Sequence, residues 1–244
     1  MNLSHLLLLM TALLAGYCSS SRSGVVSSVS QTFTRQAYAV SARPTAFETC
    51  FFPGAKIRQD STTLRFSRSY LGCLPISSGR IVATDPVSMS QKPFTTAFPK
   101  GRFPVELAVA HFGNDERVAF ARILFSSEPV AKWEMALLTG QEPLPMSGET
   151  YYGYPVDGGT GMFIDASHVS GLERFLSTDA TNFNKVFISS FRDGKAGLLY
   201  AAQGDTLATF LTGLGDGHYA TYVGFDAQHQ PCRLLTDFQL VDWK

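Results

Sequence analysis

Two short stretches place acids among glycines. VDGGTGMFID (156–165) sets Asp157 and Asp165 on either side of Gly158, Gly159 and Gly161. GLGDGHYATY (213–222) sets Asp216 between Gly215 and Gly217, then His218, Tyr219 and Tyr222. Glycines let the backbone approach a ligand closely, and carboxylates beside free N–H groups can hold a cation or orient a polar molecule. The candidate catalytic residues are therefore Asp157, Asp165, Asp216 and His218, with Gly159, Tyr219 and Tyr222 as candidate ligand contacts. The same residues also have a purely architectural account. Asp157 can close an Asx turn and Asp165 can cap a helix. Gly215-Asp216-Gly217 can form a tight hairpin between a strand ending at Thr212 and one starting at His218. A turn needs Asp-Gly but has no need of His and Tyr directly after it, so both accounts stay open here. Asp85 and Asp237, each in a Thr-Asp pair at a strand end, read as backbone hydrogen bonders.

Strand patterns dominate the chain that must position these residues. FPVELAVAHF (103–112) and ERVAFARILFS (116–126) alternate with period two and are joined by GND, which reads as a hairpin turn. VAKWEMALL (130–138) follows as a third, adjacent strand of a meander, with Trp133 as a core anchor. HYATYVGF and CRLLTDFQLV form a final pair, in which Tyr219, Val223 and Phe225 share one face and His218 and Tyr222 the other. One helix is expected over about 166–178, where Val169, Leu172, Phe175 and Leu176 recur at helical spacing after Asp165 or Ser167 as N-cap. The fold class is mostly β, with α+β as the variant: an antiparallel sandwich or bent sheet with one inserted helix.

The 20 basic and 20 acidic side chains balance to zero, without the basic excess of a nucleic-acid binder. Residues 1–18 read as a signal peptide. Leu6–Gly16 is apolar but too short to cross a bilayer, and Cys18 follows it as a candidate lipidation site. Residues 19–44, rich in Ser and Thr, read as a flexible tether, and 45–244 as a single β-rich globular domain. Export to the periplasm, the cell envelope or the medium follows, with membrane attachment only through the N-terminal segment or a lipid. In an oxidising compartment Cys50 and Cys73 are the expected bridge, and Cys232 reads as a small core residue.

The segments GCLPISSGRIVATDP (72–86), KPF (92–94), PKGRFPV (99–105), RVAFARILFSSEPVAKWEMAL (117–137), GYPVDGGTGMFID (153–165), GDGHYATYVGFD (215–226) and LLTDF (234–238), in this order, resemble a bacterial domain-of-unknown-function family, number 4241. The resemblance covers roughly residues 70–243. It implies a single β-rich domain with acids repeatedly set beside glycines, and says almost nothing about activity.

The chain carries no G-x-S-x-G elbow, H-E-x-x-H, P-loop, Rossmann glycine pattern or calcium loop. The leading expectation is a non-enzymatic, exported or envelope-tethered binding module for a protein or a small polar ligand. The alternatives are a hydrolase or cation-dependent enzyme built on the acids and His218, and a structural envelope protein. The residues specify no cofactor and no metal set. Convergence of the two glycine-rich loops at one concave surface would favour a site.

Overall fold

The computed structural model describes residues 44–90, 92–146, 150–188, 191, 194–202 and 204–243. The leader, Cys18 and all but the last residue of the tether lie outside them. The strands are β1 (Lys56–Gln59), β2 (Thr62–Ile76), β3 (Ile81–Thr84), β4 (Gly101–Phe112), β5 (Asp115–Leu124), β6 (Lys132–Met135), β7 (Tyr154–Val156), β8 (Thr160–Asp165), β9 (Gly197–Ala202), β10 (Asp205–Leu211), β11 (Gly217–Tyr219), β12 (Thr221–Phe225) and β13 (Pro231–Asp237). The helices are α1 (Ala46–Thr49), α2 (Val169–Thr178) and α3 (Ala180–Phe183), with a 3₁₀ turn before α2 and a π turn after α3.

The architecture is mostly β, as the alternating patterns predict. A seven-stranded antiparallel sheet runs β1-β2-β4-β5-β13-β12-β6, and a four-stranded one runs β3-β8-β10-β9. They face each other across a core that includes Leu107, Ile123, Val223 and Leu234 from the first sheet and Ile81, Phe163 and Phe210 from the second. A second apolar layer covers the far side of the seven-stranded sheet, where Phe47 and Cys50 meet Phe120, Tyr222 and Trp243. A third lies where α2 packs Val169 and Leu172 against Val82, Ile164 and Leu207.

The β4–β5 and β12–β13 hairpins match expectation. The meander does not continue: β6 pairs with β12, and β13 takes the place beside β5. Alternation identifies a strand but not its neighbour, and here the C-terminal hairpin is the better apolar partner for β5. The helix over 166–178 is present, with the Asp165 carboxylate accepting from Ser167 N as its cap. The short α1 and α3 were not anticipated; four-residue helices leave no periodic trace.

The cysteines depart from expectation. Cys50 is a free, buried thiol, so the Cys50–Cys73 bridge is not formed. Cys50 instead sits inside the layer beneath α1, 0 % exposed. Cys232 is free and buried, as read.

The apolar alternation of β4, β5 and β13 is interrupted by single charges. They are not errors in the pattern. Glu106 and Arg122 stand opposite one another on β4 and β5, joined at 2.8 Å. Glu48 of α1 reaches both Arg122 (3.2 Å) and Arg233 of β13 (3.2 Å), and Arg68 of β2 closes on Glu106 at 3.3 Å. The result is a row of alternating charges across four strands, which anchors α1 to the sheet.

Candidate functional site

The two glycine-rich stretches do not make independent hairpins. β8 pairs with β10, Thr160 opposite Leu211. β7 pairs with β11, Val156 opposite Gly217. The turns 157–159 and 212–216 therefore lie side by side, at the point where one two-stranded ribbon leaves the four-stranded sheet and continues as a separate small sheet. The expected hairpin across Gly215-Asp216-Gly217 is thereby corrected: the strands on either side of it, β10 and β11, belong to different sheets. Local turn chemistry is identical in the two cases, and only the long-range pairing tells them apart.

Side chains stitch the bend where the ladder is broken. Thr212 N donates to Gly159 O at 3.0 Å. Gly159 N donates to Asp216 Oδ1 at 3.0 Å. From a third loop, Asp85 Oδ2 accepts from Asp157 N at 2.6 Å, while Asp85 Oδ1 accepts from Val87 N. The turn 157–159 is thus held by two carboxylates that belong to other segments. Tyr219 Oη and Thr212 Oγ1 both donate to Gly215 O, at 2.7 and 2.8 Å. Burial raises the Tyr219 hydroxyl pKa, which keeps it a donor. Gly159 adopts φ +59°, and at Gly213 (φ +43°) a Cβ would lie 2.8 Å from Phe238 O. The positive φ favours glycine at Gly159, and the close carbonyl requires it at Gly213.

Beside this bend a cleft of about 410 Å³ opens between the ends of the two main sheets. Gly158, Gly159, Gly213 and Gly215 form part of its wall, Val109, Val118, Ala196 and Leu211 give it apolar surface, and Glu116, Arg117 and Lys195 bring charge. Among the described residues five large apolar side chains are exposed: Phe52, Tyr70, Val87, Leu211 and Leu214. Three of them belong to this one edge. Leu211 lines the cleft, Leu214 sits between two of its glycines, and the Val87 side chain lies 3.0 Å from where a Gly158 Cβ would be.

The sequence candidates divide. Gly159 and Asp216 meet directly. Asp157 is exposed at the same turn, and its contribution to the stitching is its backbone N–H. His218 is exposed on β11 opposite Pro155, and its carbonyl accepts from Gln239 Nε2 at 3.0 Å. Asp165 is elsewhere. It closes the far end of the six-residue β8, about 20 Å from the turn at strand spacing, where its carboxylate takes bonds from Ser77 N, Ser78 N and Ser167 N. Tyr219 and Tyr222 are 4 % and 1 % exposed. Tyr222 packs under Phe47 and Trp243 at 5.0 and 5.5 Å, so the face expected to be a surface beside His218 is a second core. Among the described residues no three His, Cys, Asp or Glu side chains gather as a metal site would require.

Asp85 and the lining residues Arg117, Lys195 and Leu211 escaped sequence reading as site residues. They come from separate loops and strand ends, and no local spacing links them. Asp85 and Asp237 do act on backbone and ring N–H groups, as their positions suggested; Asp237 accepts from Gln239 N and from Trp243 Nε1.

No curated protein and no solved structure matches the chain. Residues 74–236, a span that includes both glycine-rich turns, Asp85 and the whole cleft wall, match the family described as protein of unknown function (DUF4241), and the chain belongs to that family.

Proposed function

We propose that this protein is a binding module whose ligand seat is the cleft beside the stitched turns 157–159 and 212–216. One observation carries the reading: two glycine-rich turns 57 residues apart are tied together by Asp216 and Gly159 at the wall of an open cleft. A fixed wall with close backbone approach is what a preformed small-molecule seat requires, and the volume falls within the usual range of about 300–1,000 Å³. The dispersal of Asp165, His218 and Tyr222 favours binding over catalysis by that set. Delivery through an N-terminal signal, with Cys18 carrying a lipid, is part of the same proposal and rests on the apolar Leu6–Gly16 stretch. No described helix is long and apolar enough to cross a membrane.

The seat is tested by thermal shift against a panel of small metabolites, run on the wild type and on Leu211→Trp. Leu211 is 39 % exposed, so a larger ring is accommodated on the strand while it fills the cleft. A compound that stabilises the wild type and loses its effect in Leu211→Trp supports the seat. Equal stabilisation of both places the ligand elsewhere. Metabolic labelling with a palmitate analogue tests the anchor: label on the wild type and none on Cys18→Ser is the expected result, and equal label on both contradicts it.

A further inference from the structure

We propose that Ser67, His111 and Glu116 form an acyl-transfer site at the rim of the cleft, which hydrolyses small carboxylic esters. The placing of the acyl group rests on the reading of that cleft as a ligand seat. Three neighbouring strands bring the residues to one face of the seven-stranded sheet. His111 of β4 stands directly opposite Glu116 of β5. Ser67 of β2 stands opposite Val109, two residues along β4 from His111. A diagonal cross-strand neighbour of this kind is within reach of a long side chain. Ser67 Oγ lies 2.6 Å from His111 Nε2, and His111 Nδ1 lies 3.4 Å from Glu116 Oε2. The carboxylate favours the ring proton on Nδ1, which leaves Nε2 to accept from the serine hydroxyl. Nucleophile, base and orienting acid thus stand in the order that activates a hydroxyl. The set opens on the cleft: Val109, the partner of Ser67, lines it, and so does Glu116. The side chains of His111 and Glu116 are 41 % and 62 % exposed, so a substrate reaches them from solvent. Val109, Val118 and Leu211 give the acyl group its apolar wall, and a cleft of about 410 Å³ suits a short one. Phe66 N donates outward to Ala55 O, and by alternation Arg68 N points to the same edge, where β1 no longer flanks β2. The amide following the nucleophile is the donor that this arrangement offers a developing oxyanion. Ser67 Oγ adds to the ester carbonyl carbon while its proton passes to His111 Nε2. The bond to the alcohol oxygen breaks, and His111 gives that oxygen the proton. Water then adds to the acyl-serine and its proton passes to His111. The acyl–Oγ bond breaks, Oγ recovers the proton and the acid leaves. Ester and water become acid and alcohol, with no further reactant.

The probes are a fluorophosphonate, which traps an activated serine covalently, and p-nitrophenyl butyrate, both used on the full chain. Peptide mapping of the wild type should find the phosphonyl group on Ser67, a result that depends on no variant folding. Ser67→Ala and His111→Asn should each lower turnover of the ester at least hundredfold. Glu116 is a positioning residue, and Glu116→Gln should lower kcat at least tenfold with KM unmoved. Ser69→Ala, two residues along the same strand, should change neither label nor turnover. Leu211→Trp should raise KM for the butyrate ester at least tenfold. A label that falls on another serine, or on none, overturns the site, as does turnover undiminished in Ser67→Ala. If Ser67 stays unlabelled while a metabolite stabilises the wild type and not Leu211→Trp, the acyl-transfer site fails and the seat stands. If Ser67 carries the label and Leu211→Trp turns the ester over as the wild type does, the serine chemistry stands and the cleft fails as its acyl seat.

Discussion

Asp216 Oδ1 accepts a hydrogen bond from Gly159 N at 3.0 Å, replacing a ladder bond that the two strands lose as they pass from one sheet to another. The contact needs an acceptor oxygen and not a charge. Asp216→Asn should therefore change stability by no more than about 0.5 kcal/mol, whereas Asp216→Ala should cost about 1 kcal/mol, the low end for a lost bond at an exposed turn. Urea unfolding of both variants measures this. Equal losses would mean that the carboxylate acts through its charge.

Asp165 predicts a pH dependence. Its burial alone would raise its pKa, but hydrogen bonds from the Ser167 hydroxyl, Ser78 N and Ser167 N outweigh burial and hold it below the ordinary carboxylate range. The folded protein thus binds this proton more weakly than the unfolded chain. The stabilisation is complete above the unfolded value, about pH 4, and is lost as pH falls through the lower folded value. Asp165→Asn turns an N–H donor toward groups that are already donors and should cost about 2 kcal/mol at pH 7. Its gap from the wild type should narrow below pH 4. A gap constant from pH 7 to pH 3 in melting experiments would remove this account of the carboxylate.

Glu48 tests the charged row. It serves both Arg122 and Arg233, whose side chains are 6 % and 7 % exposed. Removing one partner of a buried set leaves charge without compensation. Since Glu48 itself is partly open, at 31 %, Glu48→Ala should cost about 2 kcal/mol, below the figure for a fully enclosed pair. Guanidinium unfolding that finds no change would show α1 to be a passive cover.

Cys50 should resist alkylation. Burial, reinforced by the Asp237 charge, pushes its thiol far above the ordinary range. Iodoacetamide at pH 8 should leave Cys50 unmodified in the folded protein and label it after denaturation. A tryptic peptide joining Cys50 to Cys73 would contradict the structure.

Much of the architecture was readable along the chain. Alternation in 103–112 and 116–126 marks two strands and their hairpin, and Asp165 announces its helix. Pairing was readable only where turns are short. β6 lies beside β12 and not beside β5, and β10 and β11 separate into two sheets, because these choices rest on buried area shared with distant strands. The site was half visible for the same reason. Glycines and acids flag Gly159 and Asp216, but nothing local brings Asp85 to Asp157 or Lys195 to Leu211. Tyr222 misled because its alternate face, correct as a periodicity, meets Phe47 and Trp243 rather than water.

The central claim is that the two turns act as one wall of a ligand seat, and amide shift mapping of a small-fragment library tests it most directly. Fragments that bind should shift Gly158, Gly159, Gly213 and Gly215 together, with matching titration curves for both turns, and should lose the effect in Leu211→Trp. Fragments whose shifts fall on other surfaces, or a library that leaves these four glycines unmoved, would contradict it.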